Sequence, residues 1–250
     1  MSREQNGQSL RRALVAGTGM VLMAAGLHFI DAGVRPADPP PEVQISQQQI
    51  NYGDEYLIYD IRMPIVSGFA DAGFEDTLNE RIKTQIAQDL AAAKNYAKDY
   101  MEQVRTWTIP PYDCVFSAWY EAKCTVGILS LKVTTFLDNG GTGMPHTVYY
   151  NADIARSKML TLGDLFATDE YKARINIVID TEMRKFPQRY DVPFKGVTAD
   201  TQFFISGGRL VIAFAKYEVA DGMAGEPEFE IPTGEMGNLV SREYERVLTR

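Results

Sequence analysis

Two cysteines, one histidine beyond the apolar N-terminus and a C-terminal crowd of carboxylates are the residues with chemistry to offer. Cys114 and Cys124 are the only cysteines, with nine residues between them. In an oxidising compartment they would pair, and closing so short a loop would stabilise the fold by about 3 kcal/mol. The competing reading is two free, buried thiols. No second pair of ligands lies near enough for a tetrahedral zinc site, so neither metal nor cofactor is expected. His146 is the histidine available for proton transfer, because His28 sits in the apolar segment. A Ser-His-Asp arrangement would need a serine and an orienting carboxylate such as Asp138 or Asp153, yet no Gly-x-Ser-x-Gly elbow occurs. A turn histidine with a local hydrogen bond is the plainer reading.

Glu218, Asp221, Glu226, Glu228, Glu230 and Glu235 crowd one stretch whose nearby base is Lys216. Such a surface can steer a cationic partner. Equally, the alternation of Glu226, Glu228 and Glu230 puts all three on the solvated side of one strand. The 33 acidic residues allow many carboxylate pairs for sugar hydrolysis and single out none. Gly140-Gly141 and Gly207-Gly208 lack the spacing of phosphate loops and read as turns. The candidate ligand- or partner-binding residues are Gly140, Gly141, His146, Glu218, Asp221 and Glu226, and no catalytic residue is assigned.

The elements that must position these residues follow from periodicity. Tyr56–Ile65 is rich in aromatic and β-branched residues and reads as a strand. Phe74, Leu78, Ile82, Ile86 and Leu90 recur every fourth residue, and Ala93, Ala97, Tyr100 and Val104 continue the stripe of a long helix capped by Asp71. Tyr112–Tyr120 and Val126–Leu137 read as strands of an antiparallel hairpin with the cysteines facing each other across its connection. Asp138-Asn139-Gly140-Gly141 is a turn, and Thr147–Ile154 a further strand. A second helix, opened by Thr168 or Asp169, turns Tyr171, Ile175, Val178, Ile179, Met183 and Phe186 inward before Pro187. Phe203–Ile205 and Leu210–Phe214 form a hairpin, Glu226–Ile231 a last strand, and Glu235–Leu248 a terminal helix. The expected class is α+β: antiparallel sheets with two main helices in two closely packed subdomains, behind an N-terminal transmembrane or signal helix.

Residues 13–30 hold eighteen positions without Asp, Glu, Lys or Arg. As a helix they would span roughly 27 Å, close to the ~30 Å hydrocarbon core of a bilayer. Arg11 and Arg12 precede the run and Asp31 follows it, which directs the N-terminus to the cytoplasm and the bulk of the chain outside. An uncleaved anchor and a signal peptide cut near Ala24-Ala25-Gly26 both fit. The resulting division is a tail at 1–12, an anchor or signal at 13–30, a Pro-rich linker at 31–43, and subdomains at 44–145 and 146–250. The linker's Pro39-Pro40-Pro41 makes it a semi-rigid spacer. Localisation is then single-pass at the cell membrane, or periplasmic or secreted after cleavage. The net charge of −8, with no basic stripe, excludes nucleic acid as a partner.

In chain order, Pro64-Ile65-Val66-Ser67-Gly68, Leu78-Asn79-Glu80-Arg81-Ile82 and Leu129-Ser130-Leu131 lead to Gly140-Gly141. They are followed by Tyr150-Asn151-Ala152-Asp153-Ile154, Met159-Leu160-Thr161-Leu162-Gly163-Asp164-Leu165-Phe166, Phe203-Phe204-Ile205 and Tyr217-Glu218-Val219-Ala220. This order resembles the RsiV-like extracytoplasmic domain family, that of lysozyme-sensing, membrane-spanning anti-sigma factors, from about Tyr56 to Glu235. A family Gly-Gly-Ala-His string is here stretched to Gly140-Gly141-Thr142-Gly143-Met144-Pro145-His146, with His146 in the histidine's place. The family's anti-sigma members carry a cytoplasmic helical clamp, and the twelve residues ahead of the apolar run are too few for one. The resemblance implies the outer fold and an envelope-binding role, with a lysozyme-like protein or a peptidoglycan fragment as ligand. An envelope enzyme acting on cell-wall polymer is the alternative.

Overall fold

The structure, a computed structural model, describes residues 42–105, 112–141 and 143–248. The apolar run at 13–30 lies outside them, and among the described residues no helix is long and apolar enough to cross a membrane.

Strands β1 (Gln44–Gly53), β2 (Leu57–Ser67), β3 (Cys114–Val126), β4 (Ile128–Asp138), β5 (Pro145–Asp153) and β6 (Lys158–Met159) form one six-stranded sheet in chain order. Every neighbouring pair is antiparallel except β2 and β3, which run parallel, so the expected purely antiparallel sheet is a mixed one. The reason is the long helix α1 (Ala72–Val104), which sits between those two strands in sequence. Its 33 residues span about 50 Å, enough to carry the chain back along β2 and start β3 at the same end.

Asp71 caps α1, its carboxylate accepting from the Gly73 and Phe74 amides at 2.8 and 3.1 Å. The stripe Leu78, Ile82, Ile86, Ala93 and Ala97 is buried against Leu57, Ile61, Phe116, Leu129 and Leu131 of the sheet. The side chain of Asn79 bridges the Val66 amide and carbonyl at 2.9 and 2.8 Å, locking the helix to the end of β2.

A second core lies on the other side of the sheet. Helix α2 (Glu170–Arg184) packs with the antiparallel strands β7 (Phe203–Ser206), β8 (Arg209–Ala213) and β9 (Glu228–Ile231) around Leu162, Leu165, Ile175, Ile179 and Ile212. Phe186, expected inward, lies past the end of α2 and is exposed. The expected terminal helix over Glu235–Leu248 is broken, with short 3-10 turns at Thr233–Glu235 and Gly237–Leu239 and helix α3 restricted to Glu245–Leu248. Val240 is instead extended and bridges Phe166, while the amides of Ala167 and Ser241 donate to the carbonyls of Leu239 and Leu165. These bonds compete with helix.

The cysteine pairing is overturned. Strand β3 is continuous through 13 residues from Cys114 to Val126, and the chain reverses only at Gly127. Both cysteines therefore stand on one strand, roughly 30 Å apart at ~3.3 Å per residue. A disulfide needs Cα atoms within about 7 Å. Both are free thiols: Cys114 is buried and Cys124 half-buried. Burial pushes the Cys114 thiol up, and the carboxylates of Asp113 and Asp138 add to the effect.

Candidate functional site

Alternation along β5 sends His146 to the α1 side of the sheet and its neighbour Thr147 to the opposite side. His146 pairs with Thr135 across the ladder, and both meet Asp89 of α1. The His146 Nδ1 lies 2.9 Å from Asp89 Oδ2, to which the Thr135 hydroxyl also donates at 2.8 Å. Gln85 approaches the same carboxylate at 3.0 Å and the imidazole at 3.1 Å. The orienting carboxylate is thus neither of those expected. Asp138 caps the Gly140 amide at 2.9 Å. Asp153 is buried, holding Arg156 at 2.6 Å and the Tyr244 hydroxyl at 3.0 Å. Burial opposes ionisation of Asp153, but these hydrogen bonds outweigh it and hold its carboxyl below the usual carboxylate range. Asp89 stands 57 residues from His146 on a different element, a separation that local spacing cannot reveal. The arrangement ties β5 to α1 and leaves the imidazole half-exposed.

Gly140 and Gly141 make the β4–β5 turn. Gly140 has φ +75°, and a Cβ there would lie 2.4 Å from the Tyr112 ring. Asn139 donates to the Tyr96 hydroxyl at 2.6 Å, which fastens this turn to α1.

The face turned away from α1 carries two cross-strand rows. In the first, Trp119 stands opposite Thr134, Thr134 opposite Thr147, and the Thr147 hydroxyl donates to Glu226 at 2.7 Å. In the second, Glu121 stands opposite Lys132 and Lys132 opposite Tyr149. Glu228 then accepts from both Lys132 and the Tyr149 hydroxyl at 2.9 Å. Burial, then the adjacent Glu228, pushes the Tyr149 hydroxyl far above its ordinary range. Glu230 is held by Arg209 at 3.0 Å.

The C-terminal carboxylates are accordingly less of an acidic field than their local sequence implies. Glu228 and Glu230 do point to the exposed side of β9, but their cations come from β4 and β8. Glu218 accepts the Ala215 amide, and Asp221 the amides of Met223 and Ala224. Of the six candidate residues, Gly140, Gly141 and His146 gather at the α1 side of the β4–β5 hairpin. Glu218, Asp221 and Glu226 gather in the connection from β8 to β9, and His146 and Glu226 lie on opposite sides of the sheet.

Three exposed aromatic and sulfur side chains, one on the α1-free face and two in the connection that holds Glu226, carry no signal of their own in the sequence. Trp119 sits mid-strand with a third of its surface exposed, visible only once β3 is phased against the core. Tyr217 has φ +70°, a conformation costly for a bulky residue, and its half-exposed ring packs on Gly222, where a Cβ would lie 2.5 Å away. Met223 is 94% exposed. Lys216 reaches back to the Gly143 carbonyl at 3.4 Å, so this connection leans on the β4–β5 hairpin. Among the described residues, no group of three or more His, Cys, Asp or Glu side chains is placed to hold a metal ion.

Residues 163–234, which span α2 and the small sheet, match the family described as "Protein of unknown function (DUF3298)". Anti-sigma-V factor RsiV of Bacillus subtilis (strain 168) is 25% identical over 193 residues, 72% of this chain and 65% of that protein. The chain thus spans just under two thirds of the length of this curated relative. The crystal structure of a DUF3298-family protein of Bacteroides fragilis matches with a TM-score of 0.65 at 15% identity, covering 84% of this chain and 99% of the other. One from Pseudomonas aeruginosa matches with a TM-score of 0.56 at 18% identity, covering 82% and 97%. These two likenesses concern the fold. The chain is thus similar to RsiV across most of its length, matches the DUF3298 family over residues 163–234, and shares the α+β fold of the two solved structures.

Proposed function

We propose that this chain is an extracytoplasmic binding module of the bacterial envelope, held to the membrane through residues 13–30, and that it recognises a lysozyme-like protein. The contact surface in this reading is the α1-free face with Trp119 and Glu226, together with Tyr217 and Met223 of the adjoining connection. The observation that carries it is Tyr217, an aromatic ring kept half-exposed at a strained φ of +70° beside the almost fully exposed Met223. Strained backbone gathers at functional sites, and exposed aromatic anchors carry much of the energy of protein interfaces. RsiV, the 25%-identical relative, is by name an anti-sigma factor. Its likeness to this chain supports an extracytoplasmic sensing or binding role in preference to catalysis.

The test is direct binding of the purified full chain to a c-type lysozyme, with soluble peptidoglycan fragments as competitor. Saturable binding that the fragments do not displace supports the reading. Absence of lysozyme binding, or recovery of the intact chain from the cytosol on fractionation, rejects it. A second reading, an envelope enzyme acting on cell-wall polymer, draws on the His146–Asp89 pair and its half-exposed imidazole. Peptidoglycan turnover that disappears in His146→Ala would favour it over the binding module.

A further inference from the structure

We propose that two copies of this chain join edge to edge through β1, running their six-stranded sheets together across a two-fold axis. Strand β1 has ten residues and, among the described residues, pairs only with β2. Its outer side therefore offers a row of main-chain donors and acceptors to any strand laid against it. Protein sheets normally guard such edges with charge, proline, bulges or shortness. The other three edge strands obey this, β6 with two residues and β7 and β9 with four each. Strand β1 does not. Its sequence, QISQQQINYG, contains no charged residue and no proline, and its register with β2 runs unbroken from Gln44 to Gly53.

The surface around this edge is also apolar where solvent would favour polar groups. Ile50 and Tyr52 on β1, and Ile58 and Ile65 on β2, are all exposed. Chemistry selects a second copy as the occupant. A two-fold axis normal to the sheet sets the strands antiparallel and puts the residue on the axis opposite its own mate, with its two neighbours facing one another in exchange. A lysine or glutamate there would face its like. Gln47, Gln48 and Gln49 are amides that donate and accept at once, so each can bond whichever of the three it faces. Two copies each carrying a net charge of −8 repel over most of their surfaces, and a charge-free strand is where their approach costs least.

Sedimentation of the full chain, corrected for bound detergent, gives the mass of the assembly. The expected result is a dimer. A variant with Gln47, Gln48 and Gln49 all replaced by lysine should halve that mass, as should the corresponding triple glutamate variant, and mixing the two should restore the dimer. A wild-type chain that stays monomeric at every concentration overturns the proposal, as does a lysine variant that remains dimeric. Should the triple variants unfold, Gln48→Cys and Gln49→Cys in separate chains serve instead. Oxidation must then link copies at one of these positions and not in the wild type, and failure of both to cross-link is equally decisive against it.

Discussion

Asn151, buried in β5, donates its side-chain amide to the main-chain carbonyl of Phe203 in β7 at 2.8 Å, and this bond joins the two sheets. The same side chain accepts from the Ser130 hydroxyl at 2.5 Å, and Ser130 in turn accepts from the Ile205 amide at 3.0 Å. Both side chains lie in the polar phase of their strands. The small sheet covers that phase, so each bond is made where water cannot replace it. Asn151→Ala strands a carbonyl and a hydroxyl in the interior, each worth about 1–3 kcal/mol. The urea midpoint should fall by the equivalent of about 2–4 kcal/mol with the slope unchanged. A midpoint within error of wild type would mean the sheets are not clamped here.

Asp153 sets an acid limit to stability. Its folded carboxyl is held below the unfolded value of about 3.9, because the bonds from Arg156 and Tyr244 outweigh the cost of burial. A depressed carboxylate contributes stability that is complete above the unfolded value and lost as pH falls through the folded one. Thermal stability should therefore decline below about pH 4. In Asp153→Asn that decline should be shallower, from a lower plateau at neutral pH. Parallel acid limbs in the two proteins would refute this assignment.

Thiol chemistry tests the topology of β3. Without a disulfide, reductant should leave the melting temperature unchanged. In the native protein Cys124, half-buried, should react with a thiol reagent, whereas Cys114, buried and with a raised thiol, should react only on unfolding. Protection of both thiols until reduction would restore the disulfide that the strand's length excludes.

Legibility in the sequence divides along the range of the interactions. The α1 stripe from Leu78 to Ala97, its Asp71 cap and the Asp138–Gly141 turn are local patterns, and they are where periodicity puts them. Strand β1 escapes because QISQQQINYG has no buried residue, so it lacks the alternation that marks a half-buried strand. The parallel pairing of β2 and β3 escapes because neither strand encodes its neighbour's direction. The cysteine error came from ending the strand at Tyr120. Glu121 and Lys123 are charged, yet the segment Glu121–Lys123 continues β3 across a register shift between Ala122 and Cys124. At the site, His146 was visible and Asp89 was not. Glu226 and Glu228 were visible, but Thr147 and Lys132, which hold them, come from strands nearly 80 to 100 residues earlier.

Trp119 and Tyr217 test the proposed binding face most sharply, because their removal should not disturb the cores. Neither residue belongs to either main cluster of buried side chains, and both are substantially exposed. Trp119→Ala removes an aromatic surface opposite Thr134 and should weaken lysozyme binding by about 10- to 100-fold, equivalent to about 1.4–2.8 kcal/mol. Tyr217→Asn deletes the ring yet keeps a residue tolerant of positive φ, so the connection from β8 to β9 retains its course. Its affinity should fall in the same way, with the melting temperature unchanged. Lys98→Ala, on the exposed side of α1, serves as the control and should bind like the wild type. Equal affinities for all four proteins would move the contact off this face, and a loss confined to Lys98→Ala would put it on the helix side of the sheet.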